Sequence, residues 1–211
     1  MNNPKRSQAG RPKSTEKQRQ ILMSASCLFL QQGFSATSMD NVAKEANVSK
    51  QTVYSHFKNK DALFSAVIAH KCQQYQMDEE HIMQCPRSLL EVLHLVGEQF
   101  VRLLHDEEVI AMYRVVMGEV SANIHVAELF YEAGPKRAML MLKDYLIRQR
   151  ELQIPESRLK HLVMIFFNML KGEHHMKSLM GLPCELNETE QLAFVNRVVE
   201  DFMTILRHQN D

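Results

Sequence analysis

Apolar residues recur at three- and four-residue spacing along most of the chain, as in Leu159, Leu162, Val163, Phe166, Phe167 and Leu170. That is the period of helices burying one face, and strand-like alternation is hard to find. The pattern predicts an all-α protein. Residues 1–13 are polar and read as a flexible arm containing Pro4, Gly10 and Pro12. A first helix starts near Thr15, whose hydroxyl caps it, with Gln18 completing a capping box. Ile21, Leu22, Ala25, Leu28 and Phe29 form its apolar face, and Gly33 stops it. Thr37 or Ser38 caps a short second helix buried through Met39, Val42, Ala43 and Ala46. Asn47 tolerates the left-handed turn that ends it, Val48 packs the turn, and Ser49 caps a third helix from Lys50 to about His56.

A fourth helix starts near Asp61, buries Leu63, Phe64, Val67 and Ile68, and runs to about Met83. Pro86 breaks the pattern, and the next helix begins at Ser88. Further helices are predicted near 108–121, 126–150, 156–181 and 188–208, with Gly134-Pro135 interrupting the second of these. The divisions are an arm at 1–13, a small unit at 14–60 and a larger helical body at 61–211. Three helices in under 50 residues make a small core, which leans on the helix that follows.

Formal net charge is zero, but residues 1–60 carry ten basic and three acidic side chains and the remainder an equal and opposite excess. A positive end on a negative body suits contact with a polyanion. The four cysteines, Cys27, Cys72, Cys85 and Cys184, form no CxxC pair, so neither a disulfide framework nor a zinc finger is indicated and a cytoplasmic setting fits. The basic N-terminus lacks the apolar run of a signal peptide, and no apolar run reaches membrane-spanning length. P-loop, nucleotide-binding glycine, HExxH and nucleophile-elbow patterns are absent, and no cofactor is implied. Glu79-Glu80-His81 and Glu173-His174-His175 read as solvated helix faces. His161, His174 and His175 are ill-spaced to share a metal, since neighbours on a helix point about 100° apart. Cys72 or Cys184 as a redox sensor stays open, with an inert buried thiol as the plainer reading.

Gly33 to Lys60 is the informative stretch. Two short helices joined by Asn47-Val48-Ser49 form a helix-turn-helix pattern. The second presents Lys50, Gln51, Thr52 and Ser55, with Tyr54 and His56 flanking. Lys and Gln match guanine and adenine edges, while Thr, Tyr and Lys commonly hold phosphates. Gly33-Phe34, Val48-Ser49, Tyr54-Ser55-His56-Phe57 and Lys60-Asp61, in that order, resemble the N-terminal domain of TetR-family regulators over roughly residues 15–68. Asn47 stands where the family more often has Gly, a change the turn tolerates.

The resemblance implies phosphate contacts from Thr37, Tyr54 and Lys60, and base contacts from Lys50, Gln51 and Thr52. Ser49, Ser55 and His56 complete the candidate DNA surface, and Arg11 in the arm is expected to enter the adjacent minor groove. It also implies a repressor that binds a palindromic operator in double-stranded DNA as a homodimer through its last two helices, rich in Val195, Val198, Val199, Phe202, Ile205 and Leu206, which serve interface and core on different faces. The stretch from Met112 to Leu146 further resembles the C-terminal domain of an efflux-regulating TetR subgroup. That likeness implies a cavity for a small, largely apolar effector, with Phe100, Met112, Tyr113, Met117, Phe130, Met164, Phe167 and Asn168 as candidate lining. Met139 and Met141 belong to the same set of adaptable methionines, fourteen in all, though ordinary core packing is the plainer reading of any one. The competing readings are a redox- or metal-responsive regulator of the same fold and a helical small-molecule carrier that does not bind DNA.

Overall fold

The computed structural model describes residues 15–75, 82, 88–183 and 186–210. Ten helices occupy these residues: α1 Thr15–Ala36, α2 Met39–Glu45, α3 Lys50–His56, α4 Lys60–Gln74, α5 Leu89–His105, α6 Glu107–Glu119, α7 Ile124–Ala133, α8 Pro135–Ile147, α9 Glu156–Met180 and α10 Glu188–Asn210. The expected all-α architecture is present, and no described helix is long and apolar enough to cross a membrane. The arm with Arg11, and Cys85 and Cys184, lie outside the described residues, as does the expected continuation of α4 toward Met83.

Local chemistry sets most of the boundaries. Ser38, Ser49 and Asn59 each accept a backbone N–H from the first turn of the helix they precede. Ser88 and Glu91 form a complete capping box ahead of α5. Asn47 adopts φ 47°, the left-handed turn expected of it. Thr15, expected as a cap, is already helical. The helix expected across 126–150 is two, α7 and α8, with Pro135 opening the second. Gly181 ends α9 in the left-handed conformation, and the Arg114 guanidinium donates to the carbonyls of Ser178 and Leu179 there.

Two apolar cores organise the chain. The first joins Ile21, Phe29, Phe34, Val42, Val53, Leu63 and Phe64 from the helix-turn-helix unit to Met112 and Val116 of α6 and Val126 and Ala133 of α7. The rings of Phe29, Phe34 and Phe64 meet with centroids 5.1–5.9 Å apart. This core runs across residue 60, so the small unit leans on the body as well as on α4. The second gathers α5, α8, α9 and α10 around Leu93, Leu104, Leu142, Leu162, Phe166 and Phe202. Gly97 lets α5 approach α10 closely: a Cβ there would lie 2.8 Å from Val195. Val195, Val198, Val199, Phe202 and Leu206 are buried in this core and Ile205 is packed against it, so those interface candidates belong to the protomer's interior. The outer faces of α9 and α10 instead expose Met176, Met180 and Leu192.

α9 is broken rather than continuous. Gly172 takes φ 51°, ψ −164°, and the Phe194 ring closes over the bend, 3.2 Å from where a Cβ would stand.

Candidate nucleic-acid interface and effector cavity

The helix-turn-helix is held by contacts that leave one face of α3 open. Val53 is buried against α2, while Lys50, Gln51, Tyr54 and Ser55 are exposed. Gln20 donates to the Ala46 carbonyl at 2.7 Å and secures the end of α2. The Ser49 and Thr52 hydroxyls bond to each other at 2.8 Å, and the Ser55 hydroxyl donates to the Thr52 carbonyl. Lys50 pairs with Asp40 at 2.7 Å across the two helices, and its pKa rises through that hydrogen bond. The Gln51 side chain is exposed and makes no hydrogen bond among the described residues. Tyr54 is 45% exposed, and His56 is half-buried beside Phe57.

Two expected phosphate contacts are engaged elsewhere. Thr37 is 2% exposed, and its hydroxyl donates to the Gly33 carbonyl at 2.7 Å. The Lys60 ammonium donates to the carbonyls of Phe34 (2.7 Å) and Ser35 (3.3 Å) and lies 4.3 Å from the Phe34 ring centroid. Burial lowers its pKa, against the pull of Glu119 and Asp61.

Glu119, at the end of α6, ties this unit to the body. Its carboxylate accepts the Phe34 N–H at 2.5 Å and the N–H and hydroxyl of Ser35 at 3.1 and 2.5 Å. Gly33, at φ 81°, leaves the room, because a Cβ there would collide with the carboxylate. A second tie joins His125 Nε2 to the Asp61 carboxylate at 2.9 Å, and the hydrogen bonds to Asp61 and then Glu128 raise the His125 pKa. Neither tie is visible in local spacing, since the partners are 64 to 85 residues apart.

The body contains a cavity of about 780 Å³ between α4, α5, α6, α7, α8 and α9. All eight candidate residues line it, namely Phe100, Met112, Tyr113, Met117, Phe130, Met164, Phe167 and Asn168, together with Met139 and Met141. That volume lies within the roughly 300–1,000 Å³ of small-molecule sites. Tyr113 stacks edge-on against Phe130 and His175 at 4.7 and 5.1 Å.

Beyond Asn168 and the Tyr113 hydroxyl, sequence reasoning missed the polar part of this wall. His175, expected on a solvated face, is only 6% exposed, with Nδ1 buried and unpartnered. Burial, then the nearby Lys171 and His105, push its pKa down to about 4. Cys72 also lines the cavity, its thiol pushed up to about 11 by burial. At one edge, Lys71 binds Glu108 at 2.7 Å and Asp106 at 3.0 Å, and Asp106 also accepts the Tyr75 hydroxyl. Among the described residues no group of three His, Cys, Asp or Glu side chains is placed to hold a metal ion.

Residues 21–67 match the bacterial regulatory proteins of the tetR family, and residues 91–206 match the AefR-like transcriptional repressor C-terminal domain. Two Bacillus subtilis (strain 168) proteins, both described as uncharacterized HTH-type transcriptional regulators, are similar: YhgD is 38% identical over 34% of this chain, and YerO 24% identical over 89%. The chain spans 37% and 65% of their respective lengths, less than two thirds of either. The solved structure of the flavonoid-responsive regulator FrrA is 29% identical with a TM-score of 0.69, covering 91% of this chain and 97% of FrrA. The chain belongs to the TetR family of DNA-binding transcriptional regulators, a family of regulators rather than enzymes, with an AefR-like C-terminal domain.

Proposed function

We propose that this regulator is a repressor that binds a palindromic operator as a homodimer and releases it when a small, largely apolar effector fills the cavity. One observation carries the reading: the cavity and the helix-turn-helix core share side chains. Val67 and Ile68 of α4, Met112 and Val116 of α6, and Phe130 and Ala133 of α7 line the cavity and also pack in or against the first core. An occupant that moves these side chains moves the platform of α1–α3, and Glu119 sits one turn beyond Val116 on the same helix. Such a ligand shifts the population toward a spacing of recognition helices that fits DNA less well, and linkage makes DNA lower ligand affinity equally. FrrA, a flavonoid-responsive regulator of similar fold, supports a small organic effector. The exposed Met176, Met180 and Leu192 support a pairing surface on α9 and α10.

On DNA, Gln51 reads a base edge, with Lys50 released from Asp40 to join it; Ser49, Thr52, Tyr54, Ser55 and His56 flank them, Lys60 supports the Phe34 and Ser35 carbonyls from behind, and Arg11 serves the minor groove. Thr37 acts from behind by holding the turn at Gly33. A redox reading through Cys72 is disfavoured, because a thiol with a pKa of about 11 carries little thiolate at neutral pH.

The test is a mobility shift on the DNA upstream of the protein's own gene, at fixed salt, with and without a compound that raises the unfolding midpoint. Specific binding, weakened by Gln51→Ala and by the compound, is expected. No preference over random DNA, or a compound that stabilises the protein without weakening the complex, overturns the reading. Sedimentation as monomers overturns the dimer.

A further inference from the structure

We propose that the cavity is built for an acidic amphiphile, an apolar body carrying one carboxylate-type head group seated at Lys171. This rests on reading the cavity as the effector site. The difference between the two lysines on its wall carries the proposal. Lys71 is neutralised twice, by Glu108 and Asp106. Lys171 is half-buried and lines the same cavity, yet it makes no hydrogen bond or ion pair among the described residues. Burial alone depresses its pKa, and no carboxylate pairs with it among the described residues.

The neighbours sharpen the polarity. His175 is buried beside Lys171 and stays neutral at physiological pH, so it adds no competing charge. The Tyr113 hydroxyl has no hydrogen-bond partner among the described residues, and burial, then Cys72, pushes its pKa up to about 12, so it remains a donor. Arg137, at the exposed side of the cavity, is also without an ion pair among the described residues. The two lining carboxylates are already paired, Glu108 with Lys71 and Asp144 with Lys143 at 3.5 Å. The wall therefore offers the unpaired Lys171 and the Tyr113 hydroxyl amid methionines and aromatic rings. A neutral oil would leave Lys171 desolvated and unpaired, whereas an acid compensates it while its chain fills the apolar remainder.

The experiment compares dodecanoate with 1-dodecanol, which share an apolar chain, by calorimetric titration of the full chain. Dodecanoate is expected to bind at least about tenfold tighter, the equivalent of ~1.4 kcal/mol. Lys171→Met, which keeps the stem and removes the ammonium, should abolish that preference without weakening dodecanol, and Lys171→Arg should retain it. Equal affinity for acid and alcohol, no binding of either, or an unchanged preference in Lys171→Met overturns the proposal. Dodecanoate that binds with the expected preference and leaves operator affinity unchanged supports this head-group site and overturns the induction mechanism instead.

Discussion

The helix-turn-helix unit and the cavity handle polar groups in opposite ways. In the first, side-chain donors close on backbone carbonyls or on each other: Thr37 on Gly33, Lys60 on Phe34 and Ser35, Gln20 on Ala46, and Ser49 with Thr52. In the second, Lys171, the Tyr113 hydroxyl and Nδ1 of His175 face no partner among the described residues. Satisfied donors hold the unit in one shape. Unmatched polar groups such as Lys171 and the Tyr113 hydroxyl on a cavity wall are what the proposed effector would complete. The proposed coupling runs through the core that the two regions share.

That shared core gives the largest expected effect. Phe64 is fully buried among Phe29 and Phe34 in the core that also holds Met112 and Val116. Phe64→Ala should cost about 3–5 kcal/mol. Urea unfolding followed by circular dichroism should show one transition shifted to lower denaturant. Two transitions, with only a small part of the helical signal lost early, would mean that the unit around α1–α3 unfolds on its own and that the two regions are energetically separate.

The Glu119 tie comes next. Glu119→Ala strips the carboxylate from two backbone N–H groups and the Ser35 hydroxyl, and should cost about 1.5–3 kcal/mol as a charge-assisted contact. Gly33→Ala should cost about 1–3 kcal/mol, because φ 81°, ψ 174° is a region only glycine adopts freely. Its Cβ also meets the carboxylate, so the double variant should be less destabilised than the two losses summed. Strict additivity in this cycle would sever Gly33 from Glu119 and remove α6 as a lever.

What was legible in the sequence follows the same division. α2, the Asn47 turn and α3 were readable because caps, turn residues and apolar spacing all act within a few residues. The cavity itself was expected only through the family resemblance; methionines, aromatic rings and the polar Asn168 then supplied its candidate lining, of which Met117 and Met164 are exposed. The ties from Glu119 and His125 were not readable, since nothing local marks a carboxylate that finds its N–H groups 85 positions away. The α9 break was also hidden: apolar periodicity continues through it, and the only local sign was a glycine in mid-helix. His175 was misread for a related reason. The bend at Gly172 and the cavity wall decide its burial, and neither is encoded in the Glu173-His174-His175 string.

The smallest effects separate the two regions by pH. The folded-state pKa of His175 is pushed down to about 4, below its unfolded value. The unfolded chain then binds the extra proton first, so this histidine weakens folding progressively as pH falls from about 6.5 toward 4. His175→Gln should flatten that acid limb of the unfolding midpoint, and an unchanged limb would place the ring in contact with solvent. His125 behaves oppositely. Its hydrogen bonds to Asp61 and Glu128 raise its pKa, so its contribution is complete below about pH 6.5 and fades as pH rises through the raised value. The pair is exposed to water, and its effect on stability should be slight. Asp61→Asn should therefore remove a shallow alkaline decline while leaving the acid limb intact. If Asp61→Asn altered the acid limb instead, the cavity and the tie to α4 would be titrating as one unit, and the contrast between a closed surface and an open cavity would fail at its polar groups.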